Sequence, residues 1–203
     1  MVSVPTFDRS LKAKTAESIG NAIEYAETHC DGIVGIVHRH VGGYSAARAR
    51  NFMAQAAIDG GCTHILMVDS DMVLPEHAIA DLIERDVDVC LGWYVRGESD
   101  DGRTNMVRHG ATDNGNCHMA SELAALSPAL IQVRNGGMGC AMIRTDVFGK
   151  IRRPWFVYHD HPDGSGLSED YDFCGKCRQV GIPVHVDTRV ACGHIHDRVL
   201  EAR

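Results

Sequence analysis

Two carboxylates one residue apart, Asp69-Ser70-Asp71, follow directly on the apolar run Ile65-Leu66-Met67-Val68. Two anions this close repel each other unless a cation joins them. A hard divalent metal held by oxygen ligands is the natural cation, and a substrate diphosphate is its natural third party. The same three residues also suit an ordinary strand-to-helix turn, because aspartate turns and caps. A second acidic cluster, Ser168-Glu169-Asp170-Tyr171-Asp172, puts three carboxylates in the first turn of an expected helix. Capping and the helix dipole account for that composition. One of the carboxylates facing a cleft would instead serve as a general base, and the dipole is expected to lower its pKa. The chain has 12 histidines, of which those in His38-Arg39-His40 and His159-Asp160-His161 read mostly as surface residues. His194 differs, since it follows Ala191-Cys192-Gly193 at the end of an expected strand, where a neutral imidazole could complete a metal site with the acidic pair.

Eight cysteines are scattered along 203 residues, and reduced thiols are the expectation. Cys174-x-x-Cys177 followed by Cys192-x-His194-x-His196 matches a zinc-ligand set in residue type. The alternative is that Cys174 and Cys177 share the core face of a helix. The net charge of −7 argues against a nucleic-acid or anionic-membrane surface, which clustered Lys and Arg would hold. No apolar run reaches the length of a membrane span, and Met1-Val2-Ser3-Val4-Pro5 reads as a strand rather than a signal peptide, so a cytoplasmic protein is expected.

The elements that must carry these residues alternate through the first half. Strands are expected at Val2 to Pro5, Gly32 to Val37, Thr63 to Val68 and Val87 to Leu91. Helices are expected from Ser10 to His29, from Ala46 to Ile58 after a Ser45 cap, and from Pro75 to Arg85. This is the pattern of an α/β protein, a three-layer α/β/α sandwich with a mostly parallel central sheet. A strand ending in Asp69 and Asp71 delivers them to the carboxyl edge of such a sheet, where open α/β folds bind ligands. Neither Gly-x-Gly-x-x-Gly after the first strand nor a P-loop is present, which counts against a dinucleotide or P-loop site.

Residues 96–128 are polar and rich in Gly and Asp, and predict loops with a short hairpin over the sheet edge. Gly136-Gly137-Met138-Gly139 is a glycine turn feeding a strand, with a short helix after it from Thr145 to Lys150. A loop at 155–167, a helix from Ser168 to Val180 and short strands at 184–186 and 189–192 complete the chain. One domain over 1–203 is expected, with a nucleotide-binding half at 1–95 and an acceptor and catalytic half at 96–203.

These segments resemble the nucleotide-sugar glycosyltransferases of the GT-A fold, family 2-like, of the compact bacterial and phage type. The likeness runs through Val4-Pro5-Thr6-Phe7, Ala49-Arg50-Asn51, the strand ending in Asp69-Ser70-Asp71, Gly137-Met138-Gly139-Cys140, Pro154-Trp155-Phe156, Ser168-Glu169-Asp170 and Gly193-His194-Ile195. The resemblance implies Mn²⁺ or Mg²⁺ held by Asp71 and His194, with Asp69 on the metal through water or on the ribose. It implies a UDP- or GDP-sugar donor bordered by Pro5, Thr6, Phe7 and Ser70, with Arg50 reaching the base or a phosphate. Asp170 would be the base of an inverting transfer to a hydroxyl acceptor, Glu169 would orient that acceptor, and Trp155 would stack on a sugar. His38-Arg39-His40 stands where many relatives place an acidic residue on the nucleobase. The rival readings are a nucleotidyltransferase of similar fold and a zinc-stabilised binding module on Cys174, Cys177, Cys192 and His196.

Overall fold

A computed structural model describes residues 1–6, 10–31, 33, 35, 38–96, 102–112 and 116–196. Phe7 and most of the stretch expected to form the second strand lie outside the described residues. The first half consists of β1 (Val2–Thr6), α1 (Ala13–His29), β2 (His38–Gly42), α2 (Ala46–Asp59), β3 (His64–Val68), β4 (Met72–Val73), α3 (Ala78–Glu84) and β5 (Val89–Trp93). The second half supplies β6 (Arg103–Arg108), β7 (Cys117–Met119), α4 (Ala120–Leu126), β8 (Leu130–Asn135), β9 (Cys140–Arg144) and α5 (Val147–Lys150). It ends with β10 (His159–Asp160), β11 (Gly166–Leu167), α6 (Glu169–Gln179), β12 (Val184–Ala191) and β13 (Gly193–His194).

Nine strands form one sheet in the order β2-β1-β3-β9-β5-β12-β8-β6-β7, with helices packed on it in an α/β/α arrangement. The sheet is mixed. Strands β2, β1 and β3 pair in parallel, as do β5 and β12, but β9 runs antiparallel between β3 and β5. Strands β8, β6 and β7 then add antiparallel pairs at the far edge. The first-half strands thus point the same way, as the alternating pattern predicts, while the second half inserts strands of the opposite sense.

Several boundaries differ from the sequence expectation. A strand is described at His38–Gly42, so His38-Arg39-His40 sits within the ladder beside β1. The third helix begins at Ala78, because Pro75 and Glu76 fold into a turn closed by the Ala78 amide on the Pro75 carbonyl at 3.0 Å. The segment 96–128 does carry the expected hairpin, β6 with β7, but also a helix, α4. The two short strands expected near the C-terminus are one, β12, with a register shift after Val186.

The core is built from the faces that periodicity dictates. On α1 the buried residues Thr15, Ser18, Ile19, Ala22 and Ala26 recur every three or four positions. Helix α2 buries small residues, Ala47, Ala49, Ala54 and Ala57, which lets its backbone approach the sheet closely. In the second half Phe148, Phe156 and Phe173 form an aromatic cluster, the last two stacked with centroids 4.8 Å apart.

Asp187 on β12, with no exposed surface, locks α3 to the sheet. It accepts hydrogen bonds from Arg85 Nε at 2.7 Å and Arg189 Nη2 at 2.7 Å. Burial works to raise its pKa, but the two arginines outweigh that and hold it below its ordinary 3.8. A carboxylate with a depressed folded pKa contributes stability above its unfolded value and loses it as pH falls through the folded one. The wild-type thermal midpoint is therefore expected to drop as pH falls below about 4. In Asp187→Asn the midpoint at neutral pH should be lower, by about 2 kcal/mol of lost charged hydrogen bonding, and that part of the acid dependence should be missing. Thermal melts of both proteins between pH 3 and pH 7 check this.

Candidate active site

The carboxyl ends of β1 and β3 open into a cleft of about 440 Å³ whose wall includes Pro5, Arg50, Asp69, Ser70, Asp71, Glu169, Asp170 and His194. Most of the residues singled out from sequence are thus gathered in one place. Thr6 ends β1 as a buried residue outside the cleft wall.

The Asp69-Ser70-Asp71 turn is pinned from several sides. The Asp69 amide donates to the Gly139 carbonyl at 3.0 Å, continuing the β3–β9 ladder, and the Met72 amide closes the turn on the Asp69 carbonyl at 3.1 Å. The start of α1 takes the Ser70 carbonyl, through the Lys12 amide at 3.4 Å and the Thr15 hydroxyl at 3.1 Å. These bonds fix which way each carboxylate points, and the two part company.

Asp69 turns to Arg50, whose Nη2 donates to its Oδ1 at 2.6 Å. The other arm of the same guanidinium, Nη1, pairs with Glu169. Arg50 is only 3 % exposed; burial disfavours its charge, and Asp69 and Asp170 together hold it protonated. Glu169 is buried with it. Sequence reasoning placed Arg50 on the nucleotide, Glu169 on the acceptor and Asp69 beside the metal. In the structure Arg50, Asp69 and Glu169 form an internal charge bridge at the cleft wall.

Asp71 turns to His194, with Oδ2 and Nε2 3.4 Å apart. The pairing is a consequence of backbone structure. Strand β13 pairs antiparallel with β4, setting His194 opposite Met72, and the Ile195 amide donates to the Asp71 carbonyl at 2.8 Å. His194 Nδ1 lies 3.1 Å from the Val95 carbonyl, which can only accept, so Nδ1 carries a proton and Nε2 is the nitrogen aimed at Asp71. The pair with Asp71 raises the His194 pKa against the effect of burial. For Asp71, burial pushes upward and His194 more than offsets it, leaving the carboxyl below its usual range.

This donor set suits a divalent cation. Two ligands at right angles around an ion with bonds of ~2.1 Å lie ~3 Å apart, close to the observed separation. An imidazole whose second nitrogen is fixed on a carbonyl is the usual form of a metal-binding histidine. Among the described residues no group of three or more His, Cys, Asp or Glu could hold a metal ion by itself. Among the described residues Asp71 and His194 would be two donors, the arrangement in which substrate phosphates and water complete the shell. Cys174 and Cys177 are buried in α6, and Cys192 interacts with Cys140 instead. With His196 they form no zinc-ligand set.

Asp170 is the fourth carboxylate of the cleft wall, after Asp69, Asp71 and Glu169. Ser168 takes the N-cap position of α6, yet its hydroxyl bonds Asp170 and not a helix amide. The Tyr171 amide donates to Asp170 Oδ1 at 2.8 Å. Burial raises the Asp170 pKa, and Asp69 adds to this, against Ser168 and Arg50. The helix dipole led to the opposite expectation, and desolvation of the carboxylate reverses it. Asp172, from the same helical turn, leaves the cleft and pairs with Lys176 and His159.

Trp155 does not line the cleft. It is 3 % exposed, its Nε1 donates to the Phe148 carbonyl at 2.8 Å, and Arg153 covers its ring at 4.3 Å. Asn51 explains why: its Oδ1 accepts from the Trp155 amide at 2.9 Å and its Nδ2 donates to the Phe156 carbonyl at 2.8 Å, drawing this segment onto α2. Sequence reasoning missed Tyr94, whose buried ring meets His194 edge-on with centroids 5.3 Å apart. Its hydroxyl accepts from Asn105 Nδ2 at 3.1 Å and from the Gly139 amide at 3.3 Å. The available signal was the glycine run: a Cβ on Gly137 would come 2.2 Å from the Tyr94 hydroxyl, and one on Gly139 would come 2.9 Å from its ring.

No protein family and no curated protein matches the sequence. Solved structures do. The chain superposes on A197 from STIV with a TM-score of 0.64 at 15 % identity, covering 97 % of this chain and 85 % of that one. It superposes on GalNAc-T7, solved with UDP, GalNAc and Mn²⁺, with a TM-score of 0.59 at 12 % identity. That match covers 96 % of this chain but only 43 % of GalNAc-T7. At these identities the likeness establishes the fold, which is GT-A.

Removing Arg50 would strand Glu169 as a buried, unpaired carboxylate, the situation that costs about 3–5 kcal/mol in a buried ion pair. Arg50→Ala is expected to lose stability on that scale in urea unfolding, and Arg50→Ala/Glu169→Gln to recover part of it. Gly137→Ala should also destabilise, by about 1–3 kcal/mol, because Tyr94 must move.

Proposed function

We infer that this protein is a metal-assisted glycosyltransferase that moves a sugar from a UDP- or GDP-sugar donor to a hydroxyl acceptor. The observation that carries this reading is the Asp71–His194 pair standing in the same cleft as Asp170, at the carboxyl ends of β1 and β3. The GT-A architecture and a fold neighbour crystallised with UDP and Mn²⁺ support it.

Asp71 and His194 Nε2 would hold Mn²⁺ or Mg²⁺, which when bound offsets the charge that develops on the departing nucleoside diphosphate. To serve as a donor, His194 Nε2 would have to give up the proton that its pairing with Asp71 favours. Pro5 and Ser70 border the donor from the β1 and β3 ends of the cleft. Arg50 keeps Asp69 fixed against the donor side and supplies a buried positive charge beside Asp170.

Asp170 is the base. The acceptor hydroxyl gives its proton to the Asp170 carboxylate as its oxygen attacks the sugar's anomeric carbon, with inversion and loss of the nucleoside diphosphate. A carboxylate whose pKa is raised by burial is a better proton acceptor than one in water. Arg50 and the Ser168 hydroxyl act against that rise. Glu169, buried on Arg50, acts by fixing the guanidinium.

Mn²⁺ and UDP together should raise the thermal midpoint more than the sum of each alone, because two protein donors leave the shell to be completed by phosphate oxygens. Asp71→Ala should abolish that joint effect and transfer, whereas Asp170→Asn should keep it and lose transfer by a factor of about 10² or more. Midpoints with UDP or GDP and with or without Mn²⁺, together with nucleotide release from UDP- and GDP-sugars, check both. A joint effect surviving in Asp71→Ala would remove the metal assignment.

A further inference from the structure

A groove of about 780 Å³ runs along α2 and the segment 153–158, beside the catalytic cleft. Tyr158 lines both, and Tyr44, which lines the cleft, packs its ring against Phe52 of the groove with centroids 5.3 Å apart. The chain is poor in aromatics, yet Tyr44, Phe52 and Tyr158 are 38 %, 48 % and 48 % exposed, half of the exposed large hydrophobic residues described. Exposure of apolar rings in one patch costs solubility and marks a binding surface.

Arg48 lies over this patch, with its guanidinium carbon 4.5 Å from the centre of the Tyr44 ring and 5.7 Å from that of Phe52. Arg153 lies on Trp155 and bonds Gln55. Among the described residues neither arginine meets a carboxylate, in a protein of net charge −7. A guanidinium lying flat on an aromatic ring keeps its edge donors directed outward, and that edge matches a carboxylate or phosphate bidentately.

We propose that this groove is the acceptor subsite and that it takes an acidic carbohydrate chain. This rests on the transferase reading above and specifies its second substrate. The rings of Phe52 and Tyr158 present flat apolar faces to the C–H faces of sugar rings. Arg48 and Arg153 meet carboxylate or phosphate substituents. Continuity through Tyr158 leads the terminal sugar into the cleft, where its hydroxyl reaches Asp170. The cleft itself carries Asp69, Asp71 and Asp170, so the acidic substituents lie along the arginine-bearing groove and the terminal sugar that enters the cleft is one without such a substituent.

The test uses the whole chain and a defined panel: oligogalacturonate, hyaluronan oligosaccharides and phosphorylated mannooligosaccharides, with cellohexaose and dextran as neutral counterparts. Saturation-transfer NMR and calorimetry measure binding, and UDP with Mn²⁺ is titrated in parallel. At least one acidic member should bind, tenfold or more tighter than the neutral ones. Phe52→Ala and Arg48→Ala should each weaken it at least fivefold while leaving the UDP and Mn²⁺ titration unchanged. Binding of no panel member, equal binding of neutral chains, or acidic binding untouched by both substitutions overturns the proposal. Failure of the transferase reading looks different: UDP with Mn²⁺ then gives no response in the unsubstituted protein.

Discussion

The buried guanidinium of Arg50 is the constraint around which the site is assembled. It belongs to α2, and its two arms reach the end of β3 at Asp69 and the start of α6 at Glu169. Three segments far apart in sequence are thereby brought to a common point. A buried cation is tolerable only where anions meet it, and the cost of leaving any member unpaired is several kcal/mol. That cost fixes the relative placement of the three elements more narrowly than apolar packing would, because hydrophobic contact is non-directional and a bidentate charge bridge is not. The next residue, Asn51, extends the hold to a fourth segment by bonding the backbone of Trp155 and Phe156.

The parts legible in the sequence are those whose chemistry is written locally. An apolar strand followed by Asp-Ser-Asp, a capped helix with acidic residues in its first turn, and a histidine closing a strand each state their own position. Their convergence on one sheet edge follows from the alternation of strands and helices. What was not legible depends on distance. Whether Asp69 faces a metal or Arg50 is decided by a residue on another helix. The direction of the Asp170 pKa is decided by how deeply α6 is set, since burial outweighs the dipole. The second strand at His38–Gly42, polar in its first three residues, is placed by its register against β1 and carries no apolar signal of its own.

Trp155 shows the same limit from the other side. An aromatic after a proline near a ligand cleft looks available for stacking, but Asn51 pulls its backbone inward and Phe148 accepts its indole proton. The exposed rings are its neighbours Tyr158 and Phe52, which no local motif distinguishes. Tyr94 is hidden from a motif reading as well, though it leaves a trace. Of the three glycines within four residues, Gly137 and Gly139 admit the ring that packs edge-on to His194, while Gly136 makes room for Leu91 and Met106. The glycines, read as a turn, are equally a statement about what lies against them.

Charge pairing within the cleft then explains why Asp170 is chemically distinct. Glu169 and Asp69 share Arg50, Asp71 has His194, and Asp172 has Lys176 and His159. Asp170 receives a hydroxyl, an amide and the field of Arg50 at a distance, but no cation touches it among the described residues. Of the acidic residues around the cleft it is the one whose burial is least compensated. A carboxylate in that position gains most from accepting a proton, and the elements that hold Asp69, Asp71 and Glu169 in their pairs are what leave it so.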